Sequence, residues 1–179
     1  MRKIHQAWKV AVIGFLMLVH AMLGSIAELF LTGPQLRSFR LNLARRHCKM
    51  ALAVLGVKLE VLGEGNWRHN QNYLVVANHL SYLDILLFAS FHPLVFVSTM
   101  EVKQTPVLGR ITAAAGSLFV ERRSKENLRS EISMIERTLK EGFSLAFFPE
   151  GTSTNGSSVL PFKRPFFAPA QEAKVPVLP

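Results

Sequence analysis

Residues 73–91 read YLVVANHLSYLDILLFASF, and the change of character inside this stretch decides the fold. The run 73–77 is apolar and of strand length, whereas 81–91 stays apolar over helical length. Between them, NHLSYLD (78–84) places an imidazole, His79, five residues before a carboxylate, Asp84. On one regular helix that spacing turns the two side chains about 140° apart, so they do not face each other. They meet only if His79 sits in the turn after the strand and Asp84 lies early in the helix. There Asp84 can accept the imidazole N–H, set the tautomer and stabilise the imidazolium, leaving the other ring nitrogen free to take a proton from a hydroxyl. A plainer reading of the same residues is a carboxylate that favours a helix N-terminus beside a loop histidine. Asp84 is the sole aspartate in a chain with six histidines, which argues against an accidental pairing. The strand also points the pair toward the edge where ligands of α/β sheets bind.

Downstream the alternation continues. Residues 94–98 read as a strand, 106–115 as a short helix ending at Gly116, and 117–120 as a strand delivering Glu121, Arg122 and Arg123. Residues 126–141 form a charged amphipathic helix with Leu128, Ile132, Ile135 and Leu139 on one face, closed by Gly142. The strand 144–148 then runs into Pro149, Glu150 and Gly151. Upstream, Val57, Leu59 and Val61 alternate with Lys58 and Glu60, the period of a half-buried strand. The expected fold is therefore α/β, a largely parallel sheet flanked by helices. The last residues, 175–179, begin like another strand and stop, so the expectation is a catalytic domain over 57–179 that is incomplete at its carboxyl end.

Residues 10–31 are apolar apart from His20, Ser25 and Glu28, long enough to cross a bilayer as a helix. Basic residues stand on both sides: Arg2, Lys3 and Lys9 before, Arg37, Arg40, Arg45, Arg46 and Lys49 after. Without charge asymmetry the segment fits a helix that dips into one leaflet and returns. After the Gly33-Pro34 stop, 36–55 reads as a second helix. Its arginines would rest on lipid headgroups, while Leu41, Leu43, Met50 and Leu52 enter the acyl boundary. The expectation is a membrane-associated two-helix hairpin over 1–56. The rival, a cleaved signal peptide, has the basic start and small residues at Ser25 and Ala27, but the apolar run exceeds a usual signal core.

Composition narrows the classes. The 179 residues suit one domain, 49% of them are hydrophobic, and a formal charge of +9 calls for an anionic partner. Lysine and arginine bracket apolar segments instead of forming one run with interleaved aromatics, which favours an anionic membrane face over nucleic acid. A single cysteine, Cys48, excludes an internal disulfide framework and reads as structural filler. His92 and the remaining histidines lack ligand spacing with carboxylates or cysteine, so neither metal nor cofactor is expected.

Three further segments carry chemistry. Arg122 and Arg123 at a strand end match phosphate oxygens bidentately. FPEGTSTN (148–155) is a turn of small and hydroxyl residues that can present backbone N–H groups and Glu150. Lys163 and Arg164 add cations near the same edge.

Taken in order, NHLSYLD, GSLFVERR, FPEGTST and VPVLP each end a predicted strand. Over residues 57–179 this pattern resembles the glycerolipid acyltransferase family that includes the 1-acylglycerol-3-phosphate and lysophospholipid acyltransferases. The resemblance implies that His79, oriented by Asp84, deprotonates an acceptor hydroxyl. The hydroxyl then attacks the thioester of acyl-CoA or acyl carrier protein directly. It further implies substrate-binding roles for Asn78, Arg122, Glu150, Gly151 and Thr152, a lysophospholipid acceptor, and a location on the cytoplasmic face of the inner membrane. The third block departs from the common pattern, with Ser153 where many lysophosphatidate enzymes carry arginine. EGTSTNG looks more like members acting on lysophospholipids with larger headgroups or on lyso-ornithine lipid.

Overall fold

The computed structural model describes residues 2–121 and 128–179, with side chains from residue 6 onward. Two long helices, α1 (Arg2–Ala27) and α2 (Gly33–Leu55), precede β1 (Leu74–Val76), α3 (Tyr82–Phe91), β2 (Val95–Thr99), α4 (Met100–Gln104) and α5 (Leu108–Ala114). There follow β3 (Leu118–Val120), α6 (Leu128–Lys140), β4 (Leu145–Phe147), α7 (Ala168–Ala173) and β5 (Val177–Leu178). The strands form one sheet in the order β3-β2-β4-β1-β5, every pair parallel. Parallel neighbours require crossovers, which the helices between the strands provide. All five carboxyl ends consequently lie along one edge.

The unbroken apolar runs of the strands have a simple cause: both faces of the sheet are covered. Leu74, Val76, Val95, Leu145 and Phe147 pack on one side with Ile135 and Leu139 of α6 and Ala170 of α7. Tyr73, Val75, Phe96 and Ala146 pack on the other with Ala89 of α3. Leu74, Ile135, Leu139 and Leu145 are essentially inaccessible to solvent, and each contributes about 1.5–3 kcal/mol by leaving water. Asn72 closes the bottom of β1 against α6, its Nδ2 donating to the Leu139 carbonyl at 2.7 Å and the Phe143 carbonyl at 3.2 Å. The first is a carbonyl in the last turn of α6, where intrahelical partners run out, and the second lies just beyond the helix.

The predicted strand at Val57, Leu59 and Val61 does not form. The segment leaves α2 through a left-handed Gly56 and runs as coil, with Leu59 42% and Val61 37% exposed. Alternation makes a strand only where a neighbouring strand supplies the ladder, and none lies beside it among the described residues.

The lipid-facing assignment for α2 also needs correction. Leu41 is 2% exposed and belongs to the sheet core, and Leu52 is 4% exposed; of the four apolar residues assigned to lipid, Met50 alone is largely exposed. Arg37 donates to Glu141 at 2.7 Å and to Thr138 at 3.0 Å, while Arg40 pairs with Glu28. An amphipathic stripe fits a protein core as well as a bilayer, and here α2 packs on α3 and the sheet.

The first helix behaves differently. Leu16, His20, Gly24 and Ala27 share the face that meets the protein, with Gly24 directly against Ala114 of α5. Phe15, Leu18, Met22 and, just beyond the helix, Leu29 and Phe30 remain exposed. Over Gln6–Ala27 the chain is, among the described residues, the one helix long and apolar enough to cross a membrane.

The short helices α4 and α7 had no counterpart in the sequence reading, whereas α5 forms within the helix read at 106–115. Thr99 caps the short α4, and α5 folds back so closely that a Cβ on Gly109 would lie 2.1 Å from the Lys103 carbonyl oxygen. Beyond the predicted strand over 144–148, Phe166 and Phe167 pack their rings on Phe147, at 5.9 and 5.5 Å, and lead into α7. The closing residues 175–179 do supply a strand, β5, in register with Leu74 and Val75.

Candidate active site

The site is built where β1 and β4, adjacent in the sheet, release their chains at the same edge. Ser81 is the N-cap of α3, its Oγ accepting the Leu83 N–H at 3.1 Å. Asp84, the third helical residue, accepts the Ser81 N–H at 2.9 Å and the Leu80 N–H at 2.7 Å, completing a capping box. The same oxygen, Oδ2, meets His79 Nδ1 at 2.9 Å. Burial alone would raise the Asp84 carboxyl, but the Ser81 and Leu80 amides and then His79 outweigh it and hold it below its ordinary value of 3.8. Both readings of the motif are therefore realised in one side chain, which caps the helix and faces the imidazole.

Asp84 places the His79 proton on Nδ1, so Nε2 carries a lone pair. Nε2 makes no hydrogen bond among the described residues. The ring is held flat against Phe148, centroids 4.1 Å apart and planes 14° from parallel, and Phe148 in turn meets Phe88 edge-on at 6.2 Å. Rotation of the imidazole is thus resisted from one face by an aromatic wall and at one nitrogen by a carboxylate.

Glu150 is buried, 4% exposed, and both its oxygens are engaged by main chain. Oε2 accepts the His79 N–H and Oε1 the Leu160 N–H, each at 2.9 Å. The Thr154 N–H returns to the His79 carbonyl at 2.8 Å. The turn after β4 is in this way stitched to the turn after β1 on both sides of His79. Gly151 has φ +77°, a conformation that disfavours other residues. Thr152 and Asn78 are exposed at the same edge.

Of the site residues expected from sequence, the structure brings together His79, Asp84, Glu150 and Gly151, with Asn78 and Thr152 in the flanking turns. Arg122 lies outside the described residues. At the end of β3, just before it, the Glu121 N–H donates to Glu131, a carboxylate 7% exposed. The sequence reading singled out the turn 148–155 but not the parts Phe148 and Thr154 play in it, and it missed Ser81 and Glu131. The Ser-x-x-Asp spacing is a helix-start signature that could have found Ser81; Glu131 carries no local signal. Among the described residues no group of three or more His, Cys, Asp or Glu side chains is placed to hold a metal ion. Burial pushes the Cys48 thiol up to about 11, which leaves it a packing residue.

Residues 58–179 match the family model described as acyltransferase. The chain belongs to that family. The chain is 38% identical over 130 residues to the 1-acyl-sn-glycerol-3-phosphate acyltransferase of Neisseria gonorrhoeae, a match covering 73% of this chain and 51% of that protein. It is 39% identical over 122 residues to the lyso-ornithine lipid O-acyltransferase of Rhodobacter capsulatus, covering 68% and 42% respectively. Among solved structures, that of the 1-acyl-sn-glycerophosphate acyltransferase from Thermotoga maritima matches with a TM-score of 0.74 and 26% identity. The match covers 100% of this chain and 74% of that one. The chain spans about half the length of the curated relatives it matches.

Proposed function

We propose that this acyltransferase moves a fatty acyl group from acyl-CoA or acyl carrier protein to the free hydroxyl of a lysophospholipid, 1-acyl-sn-glycerol-3-phosphate in the first instance, giving phosphatidic acid. The observation that carries this reading is the 2.9 Å contact between His79 Nδ1 and an ionised Asp84, with Nε2 left open. A lipid hydroxyl is a poor nucleophile until its proton is removed. His79 Nε2 takes that proton as the oxygen attacks the thioester carbonyl carbon, and Asp84 stabilises the imidazolium. The tetrahedral intermediate collapses with cleavage of the C–S bond. The proton returns from Nε2 to the departing thiolate, which leaves as a free thiol. The dyad contributes no nucleophile of its own, so no acyl-enzyme forms.

The exposed apolar residues of α1 and the charge of +9 support action at a membrane surface, which we take to be the cytoplasmic face of the inner membrane. Arg122, Asn78 and Thr152 complete the acceptor side in this reading. A second acceptor, lyso-ornithine lipid, is favoured by Ser153, which leaves the turn after Glu150 without a charged residue of its own, and by the similarity to lyso-ornithine lipid enzymes.

The test is thioester consumption by the membrane-extracted protein with palmitoyl-CoA, offering lysophosphatidate, lysophosphatidylethanolamine and lyso-ornithine lipid in parallel. Turnover with lysophosphatidate is expected. Turnover solely with lyso-ornithine lipid would transfer the assignment to the second acceptor, and none with any acceptor would overturn acyl transfer.

A further inference from the structure

The turn 150–156, EGTSTNG, brings no cation of its own to the catalytic edge. One is nevertheless placed on it. The chain returns at residues 160–163 and is pinned to the start of the turn at two points. The Leu160 N–H bonds to Glu150 Oε1 at 2.9 Å, and the Lys163 N–H to the Pro149 carbonyl at 3.0 Å. From there the Lys163 side chain lies flat over Gly151. A Cβ built on that glycine would stand 3.4 Å from Cδ, 2.9 Å from Cε and 2.6 Å from Nζ. The glycine therefore serves two purposes, accepting φ +77° and leaving room for the lysine stem.

The ammonium is not consumed by the nearest carboxylate. Glu150 gives both oxygens to backbone N–H groups, and Lys163 forms no ion pair among the described residues. Its position is also tied to the base, because Glu150 Oε2 and the Thr154 N–H hold His79 from the same turn. A lysine fixed at its backbone, with its ammonium over Gly151 in the turn that Glu150 and Thr154 tie to the His79 main chain, is suited to an anion on the substrate that His79 deprotonates.

We infer that Lys163 binds the headgroup oxyanion of the acceptor lysolipid, supplying over Gly151 the charge that the neutral Thr152, Ser153 and Thr154 do not. This assignment rests on the acyl-transfer reading above. Lys163 is then a specificity residue: it determines how tightly an anionic acceptor is held and leaves the proton transfer at His79 untouched.

The experiment compares wild type, Lys163→Met and Lys163→Arg in the membrane-extracted protein. KM for lysophosphatidate and KM for palmitoyl-CoA are measured separately, together with labelling of Lys163 by an amine-reactive acetylating reagent. Loss of one charge-assisted hydrogen bond predicts that Lys163→Met raises KM for lysophosphatidate about tenfold or more, with kcat and the palmitoyl-CoA KM within about threefold of wild type. Lys163→Arg retains most of the affinity. Lysophosphatidate protects Lys163 from acetylation, whereas coenzyme A and inorganic phosphate at matched concentration do not.

An unchanged acceptor KM in Lys163→Met overturns the assignment. So does a rise confined to palmitoyl-CoA, or protection by coenzyme A, since the ammonium would then serve the donor. The labelling arm does not require turnover, so an inactive preparation whose Lys163 is still protected by lysophosphatidate counts against acyl transfer and not against the lysine.

Discussion

Two histidines show what separates a site from a core. His79 is positioned by a carboxylate at 2.9 Å, a stacked phenyl ring at 4.1 Å and hydrogen bonds to its own main-chain N–H and C=O. His20, on α1, is more deeply buried at 4% exposure, yet neither ring nitrogen has a hydrogen-bond partner among the described residues. Its contact is the edge of the His47 ring, 5.3 Å away. A histidine whose orientation is determined from several directions can carry out directed proton transfer; one that merely fills space is a cost the fold tolerates. The difference resides in the second residue, since Asp84 meets three donors at once, His79 among them, whereas no carboxylate among the described residues bonds either ring nitrogen of His20.

That contrast can be broken at its strong end first. His79→Ala is expected to lower thioester turnover by about 10²–10⁴-fold while circular dichroism stays that of wild type, the size of a lost general base. Turnover within a factor of ten of wild type would remove the dyad from the mechanism.

Glu150→Gln comes next. An amide offers an NH₂ to one of two N–H donors, so one stitch is lost and a buried donor is left unpaired, at about 1–3 kcal/mol in chemical denaturation. Because the carboxylate holds His79 and Leu160, kcat should fall more than the acceptor KM rises; the opposite split would make Glu150 a direct substrate ligand.

Asp84→Asn tests the double role. Removing the charged acceptor of the capping box should cost about 0.5–2 kcal/mol of stability. The sign with pH follows from the depressed carboxyl: its contribution is fully present above the ordinary value of 3.8 and is lost as pH falls through the lower folded value. The stability gap between wild type and Asp84→Asn, followed by denaturant midpoints, should therefore close in acid below about pH 4. A gap that stays constant down to that range would show that the variant acts through packing alone.

At the weak end, His20→Leu replaces two unpaired ring nitrogens with apolar atoms of similar bulk and should raise stability by about 1 kcal/mol, with acyl transfer unchanged. Destabilisation in a melting experiment would mean that His20 has a polar role of its own.

How much of this was legible beforehand depends on the distance over which each feature is encoded. The turn placement of His79 and the early-helix placement of Asp84 follow from a five-residue spacing at a strand-to-helix boundary, and the structure reproduces them. The stack on Phe148, 69 positions later in the chain, and the clamp of Glu150 on the His79 amide join residues that follow separate strands, and the lysine over Gly151 depends on how the chain after β4 folds back, so no local pattern announces them. The strand read at Val57, Leu59 and Val61 failed for the converse reason, a local pattern with no partner to complete it. Leu41 failed as a lipid contact because an amphipathic stripe records that a face is covered and says nothing of what covers it.

By itself, then, the sequence determined what short-range chemistry can determine: the alternation of apolar strands and helices, the cap at Ser81, the reach of Asp84 to His79, and an apolar helix beside basic flanks. The tertiary structure decided which ends share an edge. The strand order β3-β2-β4-β1-β5 sets β4 beside β1, and by that adjacency Glu150 and Phe148 come to the histidine, while the return of the chain at 160–163 lays Lys163 over Gly151. The physical reason is that backbone spacing fixes side chains over a few residues, whereas contacts across the sheet exist only once burial of both its faces has fixed which strands are neighbours.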